Sequence, residues 1–131
     1  MGGFGAMSLA LQHPDVFGTA VSLSGALFPK PPNHRQVYLR AWGNPPDMEH
    51  WERVSPLALM TRIDPELAPN LYFHSGDKDE LGFAEYAQMA EAIVRLRGIP
   101  AVLRLTAGRH GWRTWAPETT RWLRFVDQAW N

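Results

Sequence analysis

The chain has 131 residues, enough for one domain with a core of its own. Its 13 basic and 13 acidic side chains balance, so the charge points to neither nucleic acid nor an anionic membrane surface. No apolar run is long enough to span a bilayer, and the lack of cysteine excludes a disulfide scaffold and thiolate metal sites without fixing the compartment.

The opening stretch, Met1-Gly2-Gly3-Phe4-Gly5-Ala6-Met7, crowds three glycines ahead of a segment that turns helical by about Ala6. That composition suits a backbone bending sharply off a strand while another segment or a substrate comes close. A helix rich in Ala, Leu and Met is expected from roughly Phe4 to His13, stopped by Pro14. Thr19-Ala20-Val21-Ser22-Leu23-Ser24, closed by Gly25, reads as a short buried strand of a parallel sheet. Phe28 to Pro69 is a Pro-rich excursion in which long regular elements are not expected. Two short helices fit inside it. One follows Asp47 as N-cap and runs to about Arg53. The other follows Ser55 as N-cap, with Pro56 in its first position, and runs to about Arg62. Tyr38, Trp42 and Trp51 either line a pocket or pin this excursion to the body.

Asn70 to Ser75 reads as a second strand, broken by Gly76 and followed by the charged loop Asp77-Lys78-Asp79-Glu80. A helix is expected from about Gly82 to Arg97, with Phe83, Ala87, Ala90, Ile93 and Val94 as its apolar stripe and Gly98 as its stop. Pro100 to Leu105 is a third strand, and Thr106-Ala107-Gly108-Arg109-His110 is the loop beyond it. The last helix is expected from about Pro117 to Trp130, with Trp122, Leu123, Val126 and Trp130 as its buried face. Strands alternating with helices imply an α/β fold: a parallel sheet with helices on both faces.

In open parallel sheets, ligands bind at the carboxyl ends of the strands. Three groups fall there: the glycine turn at Met1–Gly3, the acidic loop, and His110. The glycine turn reads as the second half of the elbow Gly-x-Ser-x-Gly, with Met1 as the residue after the serine and Gly2 as the closing glycine. A nucleophilic serine is then expected immediately before Met1. The order turn, acid, histidine agrees with the Ser, Asp or Glu, His order of α/β-hydrolases.

These stretches resemble the esterase family of the α/β-hydrolase superfamily that includes esterase D, feruloyl esterases, enterochelin esterases and mycolyltransferase-like proteins. The resemblance is carried by Met1-Gly2-Gly3-Phe4-Gly5-Ala6, by His13-Pro14-Asp15-Val16-Phe17, and by Ser22-Leu23-Ser24-Gly25. It continues through Gly76-Asp77-Lys78-Asp79-Glu80 and Gly108-Arg109-His110-Gly111-Trp112, with Trp115 beyond. It implies that residues 1–131 are the C-terminal part of a single α/β-hydrolase domain, three-layered, with about three parallel strands, the last of the sheet. It also implies hydrolysis or transfer of a small acyl ester in the parent protein, through an acyl-enzyme and without a cofactor. The implied roles are Asp79 as the acid, His110 as the base and the backbone N–H of Met1 in the oxyanion hole.

From the residues alone, Asp77 and Glu80 stay open as the acid. Trp112 and Trp115 either contact an acyl or aromatic group or serve as packing. Ser22 and Ser24 read as ordinary strand and strand-end residues, and His13, His34, His50 and His74 show no spacing that would chelate a metal. Without the serine, this chain alone is expected to be inactive. The Thr19–Ser24 strand, lacking a neighbour, is expected to bare an edge that invites self-association. The rival reading is a noncatalytic interaction module derived from an esterase.

Overall fold

The structure is a computed structural model and describes residues 1–130. Its elements run α1 (Gly2–Gln12), β1 (Thr19–Leu23), α2 (Gln36–Trp42), α3 (Met48–Val54), α4 (Pro56–Arg62), β2 (Asn70–Gly76), α5 (Phe83–Leu96), β3 (Ala101–Thr106), α6 (Trp112–Trp115), a 3-10 turn (Ala116–Glu118) and α7 (Thr119–Trp130). The three strands form one parallel sheet in the order β1-β2-β3. Ala20, Leu71 and Ala101 stand in one row across it, and Val21, Tyr72 and Val102 in the next. Neighbouring rows point to opposite faces.

The first face holds the main core. Ala20, Leu71 and Phe73 pack there against Met7 and Leu11 of α1, Leu57 and Met60 of α4, and Ala87, Ala90 and Val94 of α5. The α5 stripe is the one its three- and four-residue spacing predicts. α1 starts at Gly2, ahead of the expected Phe4, and ends at Gln12. His13 has left the helical region, with φ −128° and ψ 59°, because the ring of Pro14 crowds that conformation for the residue before it. α3 and α4 begin where their caps predict. Asp47 accepts the His50 N–H at 2.9 Å, and Ser55 caps α4 with Pro56 in its first turn. The excursion holds one helix more than expected, α2, which occupies the Pro-free window between Pro32 and Pro45. Trp42 and Trp51 are buried against Phe4 and each other, with their rings edge-on at 4.8 Å, and so pin the excursion to α1. Half-buried Tyr38 lines a cavity of about 120 Å³ beside Phe28, Phe83 and Tyr86.

The second face is thinner. α7 lies across it and buries none of its residues fully. The expected buried set was Trp122, Leu123, Val126 and Trp130, but Leu123 is 49% exposed and Trp130 81%. Trp122, Phe125 and Val126 are the residues that turn inward, and Phe125 packs on Tyr72 with ring centroids 5.2 Å apart. Leu123 sits off that stripe, and Trp130 lies at the helix end, past the part of α7 that meets the sheet. The helix also starts later than Pro117, because α6 and the 3-10 turn take up residues 112–118.

Under α7 the sheet carries polar groups. Glu118 is buried and accepts hydrogen bonds from the Tyr72 hydroxyl and from Arg104 Nε, the latter at 2.5 Å, with Arg121 at 3.8 Å. Burial, and then the bond to Glu118, push the Tyr72 phenol above its ordinary range. His74, on the same face, is 1% exposed and shares a hydrogen bond of 2.8 Å between Nε2 and Thr106 Oγ1. Burial lowers its pKa below the ordinary 6.5.

Two stability predictions follow from this face. Glu118→Ala removes the acceptor that the Tyr72 hydroxyl and Arg104 share, and should cost about 2–3 kcal/mol in urea unfolding. For His74, a folded-state pKa below the unfolded one means that the unfolded chain binds more protons as the solution acidifies. Stability is therefore expected to fall as the pH drops through about 6.5. The urea midpoint should decrease over that range, and His74→Gln should flatten the decrease.

Candidate active site

Two loops at the carboxyl edge of the sheet carry the charged residues. The chain leaves β2 at Gly76, and a Cβ there would overlap the carbonyl group of Gly108 in the loop after β3. Only a glycine lets the two backbones pass this closely. Asp77 N–H donates to Thr106 O at 2.8 Å and Lys78 N–H to Gly108 O at 2.9 Å, so the loops are joined by main chain before any side chain acts.

The three acids of the first loop then take three different partners in the second. Asp77 Oδ1 accepts the Gly108 N–H at 3.0 Å. Glu80 Oε2 accepts the His110 backbone N–H at 3.2 Å and Arg109 Nε at 3.5 Å. Hydrogen bonds from backbone N–H groups, its own first and then that of His110, hold the Glu80 carboxyl below its ordinary range. Asp79 alone reaches the His110 ring, with Oδ2 2.9 Å from Nδ1. The Asp79 side chain is fully buried, and its Oδ1 accepts the Leu81 N–H at 3.0 Å. The His110 side chain is 27% exposed, so the pair has a buried acid and a histidine open on one side.

An Nδ1–H donated to the carboxylate leaves the lone pair on Nε2, the tautomer a general base requires. The imidazole is held edge-on by two aromatic rings, Phe83 at 5.4 Å and Trp115 at 4.9 Å. An open cleft of about 390 Å³ runs along residues 107–114 beside it. Trp112 is 77% exposed on this cleft, while Trp115 turns inward toward His110 and Ser24.

Met1 caps α1, and the first turn of that helix lies against the end of β1. A Cβ on Gly3 would come within 2.7 Å of Gly25 Cα. This glycine contact seats the start of α1 beside Ser24 and Gly25, and Ser24 in turn is bonded to Trp115 next to His110. The structure thus gathers Met1, Asp79, His110 and Trp115 at one edge of the sheet and leaves Trp112 at its rim. Phe83 and Ser75 also belong to this edge and had no sequence signal beyond helix stripe and strand. Among the described residues no three His, Asp or Glu side chains gather as a metal cluster, and no helix is long and apolar enough to cross a membrane.

The chain is thus a parallel α/β sheet with flanking helices and a carboxylate–imidazole pair on the loops after its second and third strands. The family model described as "Putative esterase" matches residues 1–126, and the chain belongs to that family. The fold is similar to that of a solved ferulic acid esterase, with TM-score 0.78 and 20% identity over 100% of this chain and 50% of the other. It is also similar to the apoenzyme of an S-formylglutathione hydrolase from Staphylococcus aureus, with TM-score 0.72 and 22% identity over 95% of this chain and 50% of the other. The chain therefore spans about half the length of these structures. No curated protein sequence matches it.

The loop contact makes a direct prediction. Gly76→Ala should force the two loops apart, cost about 1–3 kcal/mol as an overpacked site does, and break the Asp79–His110 bond. Urea unfolding measures the first effect, and loss of the low-field His110 Nδ1–H proton resonance reports the second.

Proposed function

We propose that this chain carries the acid–base part of a serine-type carboxylic-ester hydrolase or acyltransferase. The observation that supports this best is the single hydrogen bond between buried Asp79 and His110 at the carboxyl edge of a parallel sheet. The nucleophile in this reading is a serine directly preceding Met1 in the parent polypeptide. Ser75, which donates to Asp79, and Ser24, which bonds Ser75 and Trp115, are both buried, which disfavours them for the role.

In the reaction, the serine oxygen attacks the acyl carbonyl while His110 Nε2 takes its proton. Asp79 holds Nδ1–H and stabilises the imidazolium that forms. The backbone N–H of Met1 donates to the oxyanion. His110 then returns the proton to the departing alcohol, leaving an acyl-enzyme. Water, or a second alcohol for a transferase, repeats the sequence in reverse roles. The exposed Trp112 offers an apolar surface to the acyl group. The two similar structures, a ferulic acid esterase and an S-formylglutathione hydrolase, agree with acyl chemistry of this kind.

The outer edge of β1 pairs with no other described strand, which supports pairing with further polypeptide there. Expressed alone, the chain should run in solution above its monomer mass of 14.8 kDa, as light scattering would register. A clean monomer would count against this edge as an interface.

The functional test starts with the codons upstream of Met1, where an in-frame serine is expected directly before it and a glycine two positions earlier still. The joined polypeptide should hydrolyse short acyl esters, and His110→Ala and Asp79→Asn should each lower kcat/KM by roughly 10³–10⁴. A stop codon or a residue without a nucleophilic side chain at that position would overturn this reading and favour a noncatalytic module.

A further inference from the structure

Three polar groups at this edge have no part in the chemistry above: the buried Ser24 and Ser75 hydroxyls and the indole N–H of half-buried Trp115. They form a row. Trp115 Nε1 donates to Ser24 Oγ at 2.9 Å, Ser24 Oγ lies 3.2 Å from Ser75 Oγ, and Ser75 Oγ lies 3.4 Å from Asp79 Oδ2. Ser24 is 3% exposed and Ser75 is 0%.

The direction of the row is set by its ends. An indole N–H only donates and a carboxylate only accepts. Ser24 accepts from Trp115, so its single proton goes to Ser75, and the proton of Ser75 goes to Asp79. Asp79 Oδ2 thus receives both Ser75 and His110, while Oδ1 receives Leu81 N–H. The Trp115 ring also stands edge-on to His110, so a closed circuit runs His110, Asp79, Ser75, Ser24, Trp115 and back to His110. It ties together the ends of all three strands.

Ser24 pays a conformational cost to take its place. It has φ +47°, and among the described residues it is the one non-glycine with positive φ. Its N–H still donates to His74 O at 2.7 Å, so the β1–β2 ladder is kept while the chain turns. The strained turn leaves its hydroxyl within reach of both Trp115 and Ser75.

We propose that Ser24 and Trp115 are positioning residues: through Ser75 they lock the Asp79 carboxylate in the orientation that holds His110. This rests on the reading of Asp79 and His110 as the working pair, but not on the identity of the nucleophile. The role differs from packing, because the row acts on one oxygen of one acid. It also gives Trp115 a place in the site that is not contact with substrate.

The test separates the hydroxyl from the backbone. Ser24→Gly accepts positive φ without strain and deletes the hydroxymethyl group, hydroxyl included. Trp115→Phe keeps an aromatic ring beside His110, though a smaller one, and deletes the N–H donor. The probe is the His110 Nδ1–H proton resonance in the full 131-residue chain, assigned by its absence in His110→Gln. In the unaltered chain it should be low-field and slow to exchange with solvent. In Ser24→Gly and in Trp115→Phe it should move upfield and exchange about tenfold faster. Ser24→Gly should do so while its unfolding midpoint matches or exceeds that of the unaltered chain, an outcome that a merely structural hydroxyl does not produce. An unchanged signal in both variants overturns the positioning role and leaves the proposed function standing. A signal missing from the unaltered chain overturns the pair itself, and both proposals with it. The upfield, faster-exchanging signal in the variants, with no esterase activity in the joined polypeptide, keeps the positioning role and removes the function.

Discussion

Gly76 and Gly108 bring the loops after β2 and β3 into backbone contact, with no room for a side chain between them. Every charged contact of the site hangs on that approach. Asp77, Asp79 and Glu80 can reach Gly108, the His110 ring and the His110 backbone N–H because the two main chains already touch. Two of the acids thereby hold the histidine's loop, and only the third meets its ring. The loop that presents His110 is thus fixed from three directions before Phe83 and Trp115 close on the imidazole. A loop held from three directions leaves the imidazole little freedom to move.

A second glycine contact, Gly3 against Gly25, does for α1 what the first does for the loops. It lets the start of the helix lie directly on the end of β1. Ser22 is buried beneath this contact, close to where a Cβ on either glycine would fall. The beginning of the chain and the His110 loop are brought to one edge by two backbone approaches rather than by long side chains. Backbone contacts of this type leave little freedom for the groups they position.

The two faces of the sheet solve different problems. One is closed by α1, α4 and α5 over an apolar core. The other is covered by α7, with Glu118, Arg104, Tyr72 and His74 in the space beneath it. A charged group buried there stays tolerable only because its donors are built in. The consequence is a face whose packing is partly polar and whose helix remains half in solvent.

Much of this was legible in the residues. Caps at Asp47 and Ser55, the α5 stripe, and strands bounded by Gly25 and Gly76 are local signals, and local physics determines them. The offsets of Asp79 from Gly76 and of His110 from Gly108 were also visible along the chain. α2 is hard to read along the chain because the surrounding prolines suggest an irregular excursion, and its signal is the Pro-free window itself. The inward face of α7 was misread because amphipathic spacing does not say how much of a helix the sheet will cover. Which of three neighbouring acids meets the histidine, and what bonds Trp115, depend on residues that lie far apart in sequence: Ser24, Ser75, Gly108 and His110. A pattern read along the chain carries the chemistry available at each position. Only the folded backbone, by deciding which loops touch, selects the partners among them.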